Sequence, residues 1–345
     1  MIYLNCDYNE GAQPAIIKRM VETNLEQHIG YSEDAITEEA KSLIKAACKR
    51  DDIDVHILVG GTQTNMTVIP ACLRPHQGVI SSVLGHINRH ETGTIEAHGH
   101  KILTLDSADG KISAEQVVKY CEDHYNDESH EHVVMPGMVY ISNPTEMGAI
   151  YSRAELSALK EACLRFDLPL FLDGARLGYG MAAEGNDVDL PFLCEVCDVF
   201  YIGGTKQGAL MGEAVVIVND ALKKDFRYII KQNGGMLAKG RLLGIQFAEL
   251  FKNDLYMEGS RHAIRLAMKI KEGFIEAGYE PYVDCPTNQQ YFIVPNRVEE
   301  ALARNFVFDH ECRLDDEHWV IRFCTSWATK EENVDFLLAQ LASLK

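Results

Sequence analysis

Between residues 55 and 218, short apolar runs alternate with helical patterns, and this alternation restricts the fold more than any other feature of the chain. The runs are His56–Gly60, Val79–Val83, Lys101–Leu105, Val139–Asn143, Leu168–Asp173, Val199–Gly203 and Ala214–Val218. Amphipathic stretches separate several of them. In Arg153–Phe166 the residues Leu156, Leu159, Lys160, Cys163 and Phe166 recur near helical spacing, and Ser152 stands where an N-cap belongs. Ser113–Tyr125 is a second such stretch. Strands alternating with helices predict an α/β domain on a mostly parallel, mixed sheet. Past Asp220 the pattern changes. Helical stretches cover Asp220–Lys231, Lys239–Lys252 and Gly259–Ala277, then come the strand-like segments Gln290–Val294, Val307–Cys312 and Trp319–Cys324, and a last helix over Lys330–Leu344. This predicts a small C-terminal α+β domain reached over a long helix. The expected division of the 345 residues is 1–245, with an N-terminal arm over about 1–20, and 246–345.

The composition is that of an ordinary globular protein, 46% hydrophobic and 24% charged. Acidic residues outnumber basic ones 51 to 33. The net charge of −18 argues against nucleic acid or an anionic membrane as partner, while leaving room for an anionic small molecule in a locally positive pocket. No apolar stretch approaches the ~20 residues that span a bilayer. Residues Met1 to Asp7 hold no basic region followed by an apolar run, so no signal peptide is expected. The ten cysteines are scattered. Only Cys194 and Cys197 form a C-x-x-C pair, and with no second pair at metal-ligand spacing it reads as structural, so no metal is expected. Free thiols without a signal predict a cytoplasmic protein.

In parallel α/β domains, reactive residues gather at the carboxyl ends of strands. Four such ends carry unusual polar residues. In V-G-G-T-Q-T-N, residues 59–65, Gly60 and Gly61 allow close backbone approach, Thr62 offers a hydroxyl and the following helix offers free N–H groups, which together suit a phosphate. A tight strand–helix turn accounts for the glycine pair equally well. L-F-L-D-G-A-R, residues 170–176, ends an apolar run on Asp173, a carboxylate that needs a partner there. A protonated ring nitrogen and an internal salt bridge both fit. F-Y-I-G-G-T-K-Q-G, residues 200–208, sets Lys206 after Thr205 on a glycine-rich turn. Alone, such a lysine is a solvated surface residue. With Asp173 on a separate strand it completes the two groups pyridoxal phosphate needs most, an amine for a Schiff base and a carboxylate for the pyridinium nitrogen. S-V-L-G-H-I-N-R-H-E, residues 82–91, sets His86 just after a strand, where an imidazole either stacks on a flat ring or serves the structure.

Together these residues resemble the threonine aldolase family of fold-type-I pyridoxal-phosphate enzymes, over nearly the whole chain in motif order and most strongly between residues 57 and 212. L-P-L-F-L-D-G-A-R-L, residues 168–177, is close to the family's H-L-D-G-A-R signature. The lysine segment is similar to the family's S-K-G, with Thr205 for serine, and H-I-N-R-H-E-T-G keeps its His-to-Glu spacing. Gly60-Gly61-Thr62 fits the phosphate loop, and Ser142-Asn143-Pro144-Thr145 is similar to the family's E-N-T. Counting back from Asn143, His132 falls where the family has a second active-site histidine. V-I-R-F-C-T, residues 320–325, is similar to the segment whose arginine binds the substrate carboxylate, here Arg322.

The resemblance implies a large pyridoxal-phosphate domain with a small C-terminal domain. It implies Gly60, Gly61, Thr62, His86, Asn143, Asp173, Arg176, Thr205 and Lys206 at the cofactor. Cys6, Arg176 and Arg322 fall to the substrate, with Lys206, His86, Asp173, Arg176 and His132 catalytic. The implied reaction splits threonine, allo-threonine or another β-hydroxy amino acid into glycine and an aldehyde, the base being His86, His132 or a water. A β-eliminating lyase acting on a cysteine-, serine- or aromatic-type amino acid is the alternative. A dimer or tetramer with the site between subunits is implied as well. Three departures stand out: Cys6-Asp7 replaces the family's Ser-Asp, N-P-T replaces N-T-H, and N-G-G-M-L-A, residues 233–238, has Leu237 at an arginine position, with Lys239 nearby.

Overall fold

The computed structural model describes residues 1–344. Seven strands form the main sheet: β2 (Asp54–Leu58), β3 (Gln77–Ser82), β4 (Ile102–Leu105), β5 (Met135–Ser142), β6 (Leu170–Asp173), β7 (Val199–Gly203) and β8 (Glu213–Ile217). Their order is β2-β8-β7-β6-β5-β3-β4. All pairs from β7 to β4 are parallel, whereas β8 is antiparallel to both β2 and β7. The sheet is therefore mostly parallel, as expected, with one reversed strand. That reversal brings the first residue of β8, Glu213, to the edge where its neighbours end, opposite Leu58 and Gly203.

Side chains along a strand alternate between faces. Phe200, Ile202, Leu170, Leu172, Val139 and Ile141 enter one apolar core; Val199, Tyr201, Phe171, Met138 and Tyr140 enter the other. Both faces of the sheet are covered, which is why its strands read as unbroken apolar runs. The same two-residue period sets Tyr140, Asp173 and Tyr201 on one face at neighbouring strand ends. The covering helices begin at chemically defined points. Ser152 accepts from the Glu155 N–H and Glu155 returns the bond, a capping box that starts Arg153–Arg165, and Ser113 with Gln116 does the same for Ala114–Asn126.

A three-stranded antiparallel sheet of β9 (Gln289–Pro295), β11 (Asp309–Arg313) and β12 (His318–Cys324), in the order β11-β12-β9, forms the C-terminal layer with helices Leu255–Glu276 and Glu331–Ala342. Strand β1 (Ile2–Tyr3) pairs in parallel with β10 (Phe306–Val307), and Leu4 is buried in the C-terminal core. Residues 2–4 thus belong to this layer, while Ile16 further along the arm is buried in the large core.

Three expectations shift. Val307–Cys312 is not one strand, because β10 pairs with β1 while β11 turns to pair with β12. The helix over Asp220–Lys231 breaks into Asp220–Lys223 and Phe226–Gln232, where Asp225 has φ 61°, a left-handed conformation no helix continues through. Helix Arg241–Phe251 crosses the expected division at 245; its Phe247, Ala248 and Leu250 sit in the large core, and so does Tyr256 beyond the left-handed Asn253 and Asp254. Among the described residues, no helix is long and apolar enough to cross a membrane, none of the ten cysteines is in a disulfide, and no cluster of metal-ligating side chains occurs.

Candidate active site

A cavity of about 640 Å³ opens at the carboxyl edge of the main sheet, between it and the β11–β12 hairpin. Gly60, Gly61 and Thr62, at the end of β2, line one wall. Helix Gly61–Cys72 starts there with no side-chain cap, which leaves its first N–H groups and the positive end of its dipole for an anion. A Cβ at Gly61 would stand 3.2 Å from the Tyr201 hydroxyl, a tight contact that glycine avoids.

That hydroxyl belongs to a closed network around Asp173, which is 3% exposed just behind the cavity wall. Its Oδ1 accepts from Tyr201 (2.5 Å) and the Ala175 N–H (3.0 Å), and its Oδ2 from Tyr140 (2.5 Å) and Asn65 (3.4 Å). Burial, reinforced by the Asp173 charge, pushes both tyrosines far above their ordinary pKa, so they remain donors. A carboxyl group so supplied is held in one orientation as an acceptor; unsupplied, its burial would cost several kcal/mol.

Lys206 stands on the turn after β7, on the cavity wall. The turn is tied down on every side. Gly204 and Thr205 N–H groups donate to the Gly212 carbonyl (2.9 and 3.1 Å), the Gly212 N–H donates to Thr205 Oγ1 (3.0 Å), and Tyr179 donates to the Lys206 carbonyl (2.5 Å). Among the described residues the Lys206 amine itself has no hydrogen-bond or ion-pair partner. A fixed backbone carrying an unpartnered amine into a cavity suits a lysine that bonds to something else.

Two arginines face this lysine. Arg176 is held by Asp7, Nε to Oδ2 at 2.7 Å and Nη2 to Oδ1 at 3.1 Å, and Asp7 also accepts from Asn288 (2.9 Å). Burial would raise the Asp7 pKa, but Arg176 and Lys206 hold it below the ordinary range. Arg322, on β12, donates to Gln289 (3.1 Å), to the Asn5 carbonyl (3.1 Å) and to Asp309. Its Nε is buried without a partner.

His86 follows β3 on the wall. Its Nδ1 lies 3.2 Å from Glu146 Oε1, and its Nε2 lies 3.9 Å from Glu91 Oε1. Burial opposes charge on His86, but the bond and charge of Glu146 outweigh it, and the His86 pKa lies above its ordinary value. In return His86, with Arg176 and Lys206, holds Glu146 far below the carboxylate range against its own burial. Burial pushes Glu91 up to about 7, against the pull of its Asn65 hydrogen bond and of His86. His90 lies one helical turn on, its ring 5.4 Å from that of His86, and lines the same cavity.

Gly60, Gly61, Thr62, His86, Arg176, Thr205, Lys206 and Arg322 all line the cavity, and Asp173 backs it. Three residues depart from their expected places. His132 is exposed in a 3-10 turn ahead of β5, so the eight-residue strand, about 25 Å long, separates it from the cavity edge. Asn143 is buried and accepts the Tyr151 N–H at 3.1 Å; three residues on, Glu146 reaches the cavity instead. Cys6 is buried, its thiol 3.1 Å from Asn9 Oδ1, and Tyr8 takes its place on the wall. Lys239 is exposed and off the cavity, while Leu237 packs on the main core. Glu146, His90, Glu213, Tyr201 and the Asp309–Glu311 segment were not singled out from the sequence. His90 was the legible one, four residues from His86 and on the same helical face.

The model of the family described as beta-eliminating lyase matches residues 4–284. The chain belongs to the beta-eliminating lyase family. A solved structure of Leishmania major threonine aldolase is 40% identical, covers 100% of this chain and 99% of its own, and superposes with a TM-score of 0.97. At that identity and coverage, the chain belongs to the threonine aldolase family as well. A low-specificity L-threonine aldolase of a Pseudomonas species is 27% identical over 98% of this chain and 96% of its own length. An aspartate aminotransferase of Thermus thermophilus, 14% identical with a TM-score of 0.72 over 100% of this chain and 92% of its own, shares the fold. The large mixed sheet with its small C-terminal layer is thus the fold-type-I architecture, and this family member is a lyase of the class that uses pyridoxal phosphate.

Proposed function

We propose that the chain cleaves threonine and related β-hydroxy amino acids to glycine and an aldehyde, with pyridoxal phosphate held by Lys206. One observation carries the reading: an unpartnered lysine amine, an uncapped helix start, a fully hydrogen-bonded carboxylate and an arginine with a free Nε converge on one cavity. The first three fit the cofactor's aldehyde, phosphate and ring nitrogen in turn, and the arginine fits a substrate carboxylate. Lys206 would hold the aldehyde, Gly60–Thr62 the phosphate, Asp173 the protonated ring nitrogen and His86 a ring face. When bound, the group supplies an electron sink that stabilises negative charge at the substrate's Cα.

The chain's own residues do the rest. Arg322 binds the substrate carboxylate, giving up Asp309, and Arg176 adds a second positive charge. Asp7 fixes Arg176 in place. This grip orients the substrate so that the Cα–Cβ bond is the one that breaks. The His86–Glu146 couple takes the β-hydroxyl proton at the imidazole, with Glu146 stabilising the imidazolium; a positioned base of this kind contributes ~10²–10⁴-fold. The aldehyde then leaves through the mouth beside His310 and Glu311.

A second copy of the chain completes the assembly in this reading. Val21, Leu25 and Ile29 are 71%, 92% and 69% exposed, and Leu210 and Met211 are exposed as well, with Met211 on the cavity wall; these are apolar side chains a dimer would cover. The ten unpaired thiols suit a reducing cytoplasm.

The test is to feed threonine to the holoenzyme and assay acetaldehyde and glycine against ammonia and 2-oxobutyrate. Acetaldehyde matching glycine one for one is expected. Ammonia without aldehyde overturns the aldolase in favour of β-elimination.

A further inference from the structure

His90 has no part in the mechanism above, yet it lines the same cavity as His86. The short helix His86–Arg89 sets it there. Gly85 starts that helix hard against β3, where a Cβ would stand 2.3 Å from Ser81 Oγ, and the His90 N–H closes the last turn on the His86 carbonyl at 2.9 Å. Residues four apart on a helix share a face. Ile87 and Glu91 share the inward one; both are buried, and Glu91 accepts from Asn65 at 2.9 Å. His86 and His90 share the next, and their rings lie 5.4 Å apart. Beyond Glu91 the chain turns away through Thr92 and Gly93, both left-handed. The His90 imidazole is thus open to solvent in front and anchored from behind.

Lys206 aside, the other nitrogen-bearing side chains on the wall are engaged. His86 faces Glu146, His310 meets Glu299 at 2.9 Å, and Arg176 and Arg322 hold Asp7 and Asp309. Among the described residues the His90 ring nitrogens have no hydrogen-bond or ion-pair partner. Partial burial keeps the His90 pKa below its ordinary value, with the charges of His86 and Arg89 adding to that and those of Glu146 and Glu311 opposing it. Near neutral pH the ring is uncharged, with one nitrogen to donate and one to accept.

We propose that His90 is a specificity-determining residue, meeting the group that the substrate's Cβ turns away from His86. This rests on the aldolase reading above. Cβ of threonine carries a hydroxyl and a methyl, and in allo-threonine the two exchange places. With the carboxylate held by Arg322 and the Cα–Cβ bond fixed, one epimer brings its hydroxyl to His86 and its methyl toward His90. The other does the reverse. In that second epimer the His90 ring accepts the hydroxyl's hydrogen bond. It takes the proton as the Cα–Cβ bond breaks, the aldehyde C=O forms and the electron pair stays on Cα. Two imidazoles one helical turn apart thus let one cavity take both epimers.

The test compares threonine with allo-threonine in the holoenzyme, with aldehyde as the product measured. His90→Ala should lower kcat/KM for one epimer by about tenfold or more and leave the other within about twofold, with the visible spectrum unchanged. A merely structural role would lower both alike. His90→Phe, which keeps a ring beside His86 but no nitrogen, should shift the ratio of the two in the same direction. His90→Gln, which restores a donor and an acceptor, should recover part of it. A ratio equal to wild type in His90→Ala, or a loss shared equally by both epimers, overturns the proposal; if that variant does not fold, the same result in His90→Phe does so. Aldehyde from only one epimer in wild type overturns it as well. Aldehyde from neither overturns the aldolase reading and the role of His90 with it, whereas aldehyde from both with an unmoved ratio in the variants removes His90 alone.

Discussion

The floor and the mouth of the cavity are built on opposite principles. The floor, made by the ends of β2, β5, β6 and β7, is buried and densely hydrogen-bonded: Asp173 has four donors, and the Lys206 turn is bonded to Gly212, Tyr179 and Glu213. The mouth, made by β11, Arg322 and the arm around Tyr8, is solvated and charged. There Arg322 pairs with Asp309, a side chain 44% exposed. Groups proposed to hold a cofactor gain from rigidity, because the backbone that carries them can stay fixed through turnover. A grip on a substrate must let go each turnover, so weak, screened pairing suits it.

If the floor holds the chemistry, its loss is the most severe. Lys206→Ala should lower the cleavage rate by ~10⁴-fold or more, beyond the usual share of a single acid–base group, and should leave no cofactor attached after borohydride reduction. A coloured, borohydride-reducible Lys206→Ala protein would place the cofactor on another lysine and dissolve the contrast. At the mouth, Arg322→Ala should raise KM for threonine roughly 10- to 200-fold, the worth of one or two charge-assisted hydrogen bonds, with the visible spectrum of the holoenzyme unchanged. Glu146→Gln lies between the two. Without that carboxylate, burial dominates His86 and lowers its pKa. Since His86 must be neutral to accept a proton, the acid limb of kcat/KM should move to lower pH by about one unit, while the maximum falls because the imidazolium is no longer stabilised. Asp309→Asn is the gentlest change at the site. It frees Arg322 from a half-exposed partner and should lower KM by only a few-fold, since such pairs contribute about 1 kcal/mol or less. His132→Ala, far from both regions, should leave kcat and KM within experimental scatter, and a large loss there would return the histidine to the site.

The floor was also the half that could be read from the sequence. Strand ends reached through apolar runs announce themselves, so Lys206, Asp173 and the Gly60–Thr62 turn were placed by pattern. Tyr140 and Tyr201 were not, although both share the parity of Asp173, because which strands lie side by side is not written in any one strand. The mouth depends on distant segments meeting. Arg322 and Asp309 are opposite residues across a hairpin register, and Asp7 reaches Arg176 across 169 positions. His132 was misplaced by counting back from Asn143 along the chain. The histidine precedes β5 and the cavity follows it, so the count ran toward the wrong end of the strand. Glu213 was hidden by direction, since nothing local says that β8 runs backward.

That reversed strand has one more consequence. Lys206 and Glu213 are seven positions apart on a single loop whose two ends are stitched into adjacent strands, so whatever deforms the loop moves both together. An insertion between Gly208 and Gly212 should loosen the Gly212 bonds that fix the Lys206 turn without touching either residue.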